Sequence, residues 1–184
     1  ARDCGIECVE TRLADTMGAR ALFADRADRN EGRKRFTLSA RTLSPERSVS
    51  YLGIADILNR EGAAPKLDLP QVWRRMVFSL LTGAEDRGEK WLFYRTDLGW
   101  RLAKTHGFSP ASGAARMMTV DGRRPLASLD DAIRLAPYFA MTLADAKAGA
   151  QEMRRVLSFW EDRALELGAD AAEAEMLAPG FEAY

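Results

Sequence analysis

The residues best placed to do chemistry lie in one short charged loop, Glu85-Asp86-Arg87-Gly88-Glu89-Lys90. It follows a long apolar helix and precedes two strand-like runs. A charged loop between a buried helix and a hairpin is a place to put a carboxylate near a phosphate. Its plainer alternative is a solvated loop, with Asp86 beside Arg87. Metal chemistry has fewer candidates. Cys4 and Cys8 are the only cysteines and would share a face if their segment were helical. A zinc site needs about two more ligands, and His106 is the only histidine. Reduced thiols in a cytoplasmic protein are the reading these two residues favour.

The elements around the loop follow from pattern. Val72, Trp73, Met76, Val77, Leu80 and Leu81 form one apolar helical face. Pro70 suits that helix's first turn, and Gly83 ends it with a residue tolerant of positive φ. Residues 91–94 and 100–102 read as strands around the turn Thr96-Asp97-Leu98-Gly99. Upstream, residues 1–6 read as the end of a helix stopped by Gly5. Residues 10–16 and 20–23 read as strands around Met17-Gly18-Ala19, residues 28–32 as a loop, and residues 35–38 as a further strand. Ser48 or Ser50 caps a helix with the stripe Tyr51, Ile54, Ala55 and Leu58. Residues 108–125 are irregular, with a short apolar run at 117–120. The last third is helical. Ser128 starts a helix that Pro137 breaks, and Thr142 caps a long one carrying Met153, Leu157, Trp160, Ala164 and Leu167 as a core stripe. Gly168 closes it, and Asp170 with Glu173 opens a last helix over residues 171–177.

Composition narrows the function classes. The chain has 184 residues, enough for one domain or a large fragment of one, and it begins without methionine. Lys plus Arg and Asp plus Glu balance at 27 each, which gives no overall pull toward nucleic acid or an anionic membrane. No apolar run approaches the roughly 20 residues of a membrane span, and the first residues lack signal-peptide architecture.

The stretch from the central helix to Ala103 resembles the HipA-like protein kinases, the toxin kinases of bacterial toxin–antitoxin pairs. Their segment runs hydrophobic helix, G-x-x-D-x-H-x-x-N, hairpin, then W/Y-R-L-x-P-x-Y-D. Here Gly83, Asp86, Lys90, the hairpin and Trp100-Arg101-Leu102-Ala103 follow in that order. The family phrase L-A-x-x-x-G-I-x-V-P-E-T is matched over residues 1–11, and E-R-F-D-R by Asp25-Arg26-Ala27-Asp28-Arg29. The stretches Leu167-Gly168-Ala169-Asp170 and Ala178-Pro179-Gly180-Phe181 resemble the family's C-terminus. The resemblance covers nearly the whole chain and only the carboxy-terminal part of a full kinase.

The resemblance implies an α+β, mostly α fold like a protein-kinase C-lobe, with small antiparallel strand pairs. Residues 1–40 would be a remnant of the hinge and inter-lobe strands, and residues 41–184 the helical lobe. Asp86 would be the catalytic base. Asp25, Arg26 and Ala27 would meet the adenine from the hinge. Gly88, Glu89, Lys90, Trp91, His106 and Gly107 would surround the nucleotide, with Lys90 against phosphate. ATP and Mg²⁺ are the implied cofactors, a translation-related protein the implied substrate, and a DNA-binding antitoxin the implied partner, with no direct nucleic acid contact and no membrane.

Several positions depart from the pattern. The family's histidine is Gly88, its metal-binding asparagine is Trp91, its second metal-binding aspartate falls at Gly107, and its hinge phenylalanine is Ala27. Neither Trp91 nor Gly107 offers the side-chain oxygen that Mg²⁺ requires, so no metal ligand is assigned, and a chain without a cofactor is the alternative to ATP and Mg²⁺. No G-x-G-x-x-G occurs, and a small lobe would lie before Ala1. Three readings follow: a kinase-like remnant impaired in catalysis, an active kinase completed by a separate small-lobe protein, and a helical interaction module using Arg74, Arg75 and exposed tryptophans.

Overall fold

The computed structural model describes residues 1–44, 49–109 and 118–182. Ser48 and Met117, which entered two of the expectations above, lie outside the described residues. The chain opens with a turn rather than a helix end: Gly5 N–H donates to the Arg2 carbonyl at 2.9 Å, and Gly5 takes φ +72°. An antiparallel hairpin follows, β1 (Thr11–Thr16) and β2 (Ala19–Ala24), joined at Met17-Gly18. Residues 28–32 are more ordered than a loop, because β3 (Arg29–Asn30) and β4 (Arg33–Lys34) make a second small hairpin. Then β5 (Thr37–Ser39) leads into α1 (Ala40–Leu43).

Ser50 caps α2 (Tyr51–Glu61), its hydroxyl accepting from Gly53 N–H at 3.1 Å. The central helix, α3, runs Pro65–Thr82. It starts five residues before the expected place, with Pro65 in the first turn and Pro70 inside. The N–H groups of Leu67 and Asp68 close that turn on the Ala64 carbonyl at 3.0 and 3.1 Å. Pro70 is tolerated there because the carbonyl it leaves unpaired belongs to Lys66, at the exposed end of the helix. Gly83 ends α3 with φ +59°.

Downstream, β6 (Leu92–Thr96) and β7 (Gly99–Leu102) form the expected hairpin, and β5 adds to it as a three-stranded sheet in the order β5-β6-β7. Ser128 and Thr142 cap α4 (Leu129–Arg134) and α5 (Leu143–Leu157). A turn at Ser158-Phe159 separates α5 from α6 (Trp160–Glu166), and α7 spans Ala171–Glu182, past the expected end at Leu177. Asp170 and Glu173 cap it reciprocally, at 2.8 and 3.0 Å.

The core gathers on α3. Trp73, Met76, Val77, Leu80 and Leu81 are buried as expected, with Tyr51, Ile54 and Leu58 of α2, Phe93 and Leu102 of the sheet, and Leu135, Phe139 and Met153 of the C-terminal helices. The Trp73 indole N–H donates to the Ala132 carbonyl at 2.8 Å, which joins α3 to α4. Leu92 and Ile133 are only half-buried. The expected stripe on the long helix is corrected: only Met153 of it is buried, beside Ala146 and Ala150, while Leu157, Trp160 and Ala164 are half-buried and Leu167 is exposed. The break at Ser158-Phe159 ends the helical register that would have carried one stripe through both segments. Among the described residues no helix is long and apolar enough to cross a membrane.

Candidate functional site

Asp86 follows directly from the end of α3. The left-handed Gly83 turns the chain, and Glu85 N–H closes on the Ser109 carbonyl at 3.3 Å. A single helical turn at Gly88–Lys90 then leads into β6. Gly88 is fixed by packing: a Cβ there would lie 2.5 Å from a Val49 methyl. This close approach accounts for glycine where the resembling kinases carry histidine.

Asp86 does not project into solvent. It is 6% exposed, and each carboxylate oxygen accepts a hydrogen bond from a buried aromatic residue. Tyr51 Oη donates to Oδ2 at 2.8 Å, and Trp91 Nε1 donates to Oδ1 at 2.6 Å. The two rings meet edge to face, 6.1 Å apart at 76°. Arg75, buried on α3, lies with its guanidinium carbon 5.4 Å from the Trp91 ring centre and donates to the Ala103 carbonyl at 2.7 Å. Its Nε has no hydrogen-bond partner among the described residues.

Burial pushes the Asp86 carboxyl up to about 6, against the two hydrogen bonds and the charges of Arg75 and Lys90. Burial likewise lowers Arg75 to about 10 and, with Asp86 adding to it, raises Tyr51 well above the usual tyrosine value. The cavity beside this cluster measures about 10 Å³, room for roughly one water. A general base must reach a substrate hydroxyl within about 2.6–3.2 Å. Here the donors that reach Asp86 belong to the protein itself.

The other expected site residues fall into separate groups. Asp25, Arg26 and Ala27 line a cleft of about 450 Å³ with Asp28, Thr37, Leu92 and His106. His106 is held opposite Asp25, Arg26 and Ala27 because Thr105 pairs with the N-terminal segment: its N–H donates to the Glu7 carbonyl at 2.9 Å and its carbonyl accepts from Val9 N–H at 3.0 Å. Partial burial lowers the pKa of His106, and Lys90 and Arg75 lower it further. Lys90 spans two backbone carbonyls, those of Glu85 at 3.3 Å and Gly107 at 3.2 Å. Glu89 points the other way and pairs with Arg41 at 3.4 Å. Trp91 is buried on Asp86 and does not line the cleft of Asp25, Arg26 and Ala27.

The residues present do not fit a magnesium ion. Mg²⁺ takes oxygen ligands, and Asp86 meets an indole N–H and a phenol O–H instead. Among the described residues no group of three or more His, Cys, Asp or Glu side chains is placed to hold a metal. The exposed Arg74-Arg75 face is also corrected. Arg75 is buried, and Arg74 donates to the Cys4 carbonyl at 3.2 Å. Trp73, Trp91 and Trp100 are buried as well.

Sequence reasoning placed Asp86, read Tyr51 only as part of an apolar stripe and Arg75 only as part of an interaction face, and did not single out Asp68. Asp68 on α3 takes both Arg101 guanidinium donors, at 2.8 and 3.1 Å, and the Leu102 N–H at 3.2 Å, so it pins β7 to the helix. A polar atom on an otherwise apolar helical stripe was the available signal for Tyr51, because a buried phenol needs a partner. Arg75 gave a similar signal as a charge among the apolar residues Val72, Trp73, Met76 and Val77, whereas Asp68, next to the exposed Lys66 and Leu67, gave none.

A HipA chain solved in the Shewanella oneidensis MR-1 toxin–antitoxin complex of HipA, HipB and operator DNA shares this fold, with a TM-score of 0.66 and 15% identity. The match covers 98% of this chain and 51% of that one, so the chain spans about half the length of that HipA. No curated protein matches by sequence. The family described as HipA-like C-terminal domain matches residues 1–176, and the chain belongs to that family.

Proposed function

We propose that this chain is a HipA-like C-terminal region of a toxin–antitoxin protein, impaired in phosphoryl transfer, in which the loop carboxylate Asp86 holds the fold instead of activating a hydroxyl. The observation that carries this reading is the closure of Asp86 by Tyr51 and Trp91. Phosphoryl transfer relies on positioned metal and an oriented base. In this chain the position of the metal-binding asparagine supplies a bulky donor that occupies one oxygen of that base. The role left is binding: a partner such as an antitoxin, in a cytoplasmic setting, without a bound Mg²⁺.

A second reading rests on the hinge cleft. At about 450 Å³ it has the size of a small-molecule site, and its walls are the hinge residues and His106. An active kinase completed by a separate small-lobe protein would use that cleft for adenine, and a translation-related protein as substrate.

The test is phosphate transfer from labelled Mg-ATP, to the chain itself and to added protein, followed by mass spectrometry. The expected result is no phosphoserine or phosphothreonine above a no-enzyme control, from the parent or from Asp86→Asn. Phosphorylation that the parent performs and Asp86→Asn loses would overturn the proposal and favour the active kinase.

A further inference from the structure

The C-terminal helices leave an apolar groove that shares no lining residue with the cavity beside Asp86. Its volume is about 480 Å³, and Phe78, Leu157, Phe159, Trp160, Leu177 and Phe181 form most of its walls. Trp160 and Phe181 stack face to face, 4.2 Å apart and 5° from parallel, as one rigid wall. Trp160 belongs to α6, which buries none of its residues, and Phe181 belongs to α7. Phe159 at 56% and Leu167 at 57% exposure are open to water at the groove's edge. Apolar surface gathered this way is stabilised when something covers it.

The groove's charges indicate what could do so. Arg155 and Arg163 line it, against a single acid, Asp3. Each arginine leans on an acid of its own helix, Arg155 on Glu152 and Arg163 on Glu166. Both arginine side chains remain about two-thirds exposed, at 66% and 67%. Arg155 holds Glu152 through two hydrogen bonds, at 2.9 and 2.6 Å, and Arg163 holds Glu166 through one, at 2.6 Å; a guanidinium has five N–H donors, so each cation keeps donors for a ligand. The volume suits a small ligand of a few hundred Å³.

We propose that this groove binds a small amphiphilic anion of the fatty-acid type. The apolar tail lies along the Trp160–Phe181 wall, and the carboxylate meets Arg155 and Arg163. This site is independent of the phosphoryl-transfer question, since it shares no residue with the Asp86 cluster or the hinge.

The test uses the full chain with anilinonaphthalene sulfonate as reporter and two displacers of equal alkyl tail, dodecanoate and undecyltrimethylammonium. The expected result is saturable reporter binding at one site per chain. Dodecanoate should displace it about tenfold more tightly than the cation, as loss of one charge-assisted hydrogen bond implies. Arg155→Gln with Arg163→Gln should erase that preference. Ala164→Leu, which fills the groove from a half-buried position, should abolish binding, and Phe159→Ala at an exposed position should weaken it. Equal displacement by both amphiphiles would overturn the anion assignment. Reporter binding that does not saturate, or that ignores both Ala164→Leu and Phe159→Ala, would overturn the site.

Discussion

Asp86→Asn should change how stability depends on pH more than it changes the fold. The side chains are isosteric. In the variant, Oδ1 still accepts from Trp91, and the amide N–H can donate to the Tyr51 hydroxyl, which turns to accept. What disappears is the titration. In the parent, burial lifts the Asp86 carboxyl from 3.8 to about 6. An acid with a raised folded-state value favours folding in its neutral form. Its contribution is fully present below about pH 4 and is lost as pH rises through about 6. A shift of roughly two units corresponds to about 3 kcal/mol between those limits. The parent should therefore gain on the order of 3 kcal/mol from this group between pH 7 and pH 4, relative to the variant. Arg75 stays protonated across that window, so losing the charge beside it offsets the variant's curve without changing its slope. Acids with depressed values, such as the half-buried Asp28 and the exposed Glu152, act oppositely at lower pH and are common to both proteins. Urea unfolding at closely spaced pH values from 4 to 8 gives both curves. Parallel curves for parent and variant would refute the buried, proton-linked carboxylate.

Two further substitutions test the surrounding frame. Asp68→Ala leaves Arg101 and the Leu102 N–H without their acceptor and should cost about 3–4 kcal/mol, read by the same unfolding assay, whereas a loss below about 1 kcal/mol would mean that the pair does not anchor β7. Gly88→His introduces the residue of the resembling kinases against Val49 and should cost about 1–3 kcal/mol by overpacking, with partial recovery when Val49→Ala is added; an unchanged melting temperature would show that the contact yields.

Much of the fold could be read from local chemistry. The stripe of α3, the Gly83 stop and the caps at Ser50, Ser128, Thr142 and Asp170 all depend on residues within one or two turns of each other. The misreadings have physical causes too. Pro65 and Pro70 both suit a first turn, and only the Ala64 carbonyl, accepting from Leu67 and Asp68, decides between them. No glycine or proline marks the break at Ser158-Phe159, so one periodic stripe was drawn through two helices. The position of Asp86 was legible, but its environment was not. Tyr51 lies 35 residues away in sequence and Trp91 five. The departure at Trp91 was visible as a missing metal ligand, yet nothing local says that the indole turns inward and bonds to the carboxylate.

The central claim is that Asp86 is closed to metal and nucleotide chemistry by its own neighbours. Isothermal titration of the chain with ATP, with and without Mg²⁺, tests it most directly when repeated on Asp86→Asn. The account predicts no Mg²⁺-dependent binding up to millimolar nucleotide in either protein, and any nucleotide heat from the hinge cleft should be the same in both. Mg²⁺-dependent binding by the parent that Asp86→Asn abolishes would contradict it.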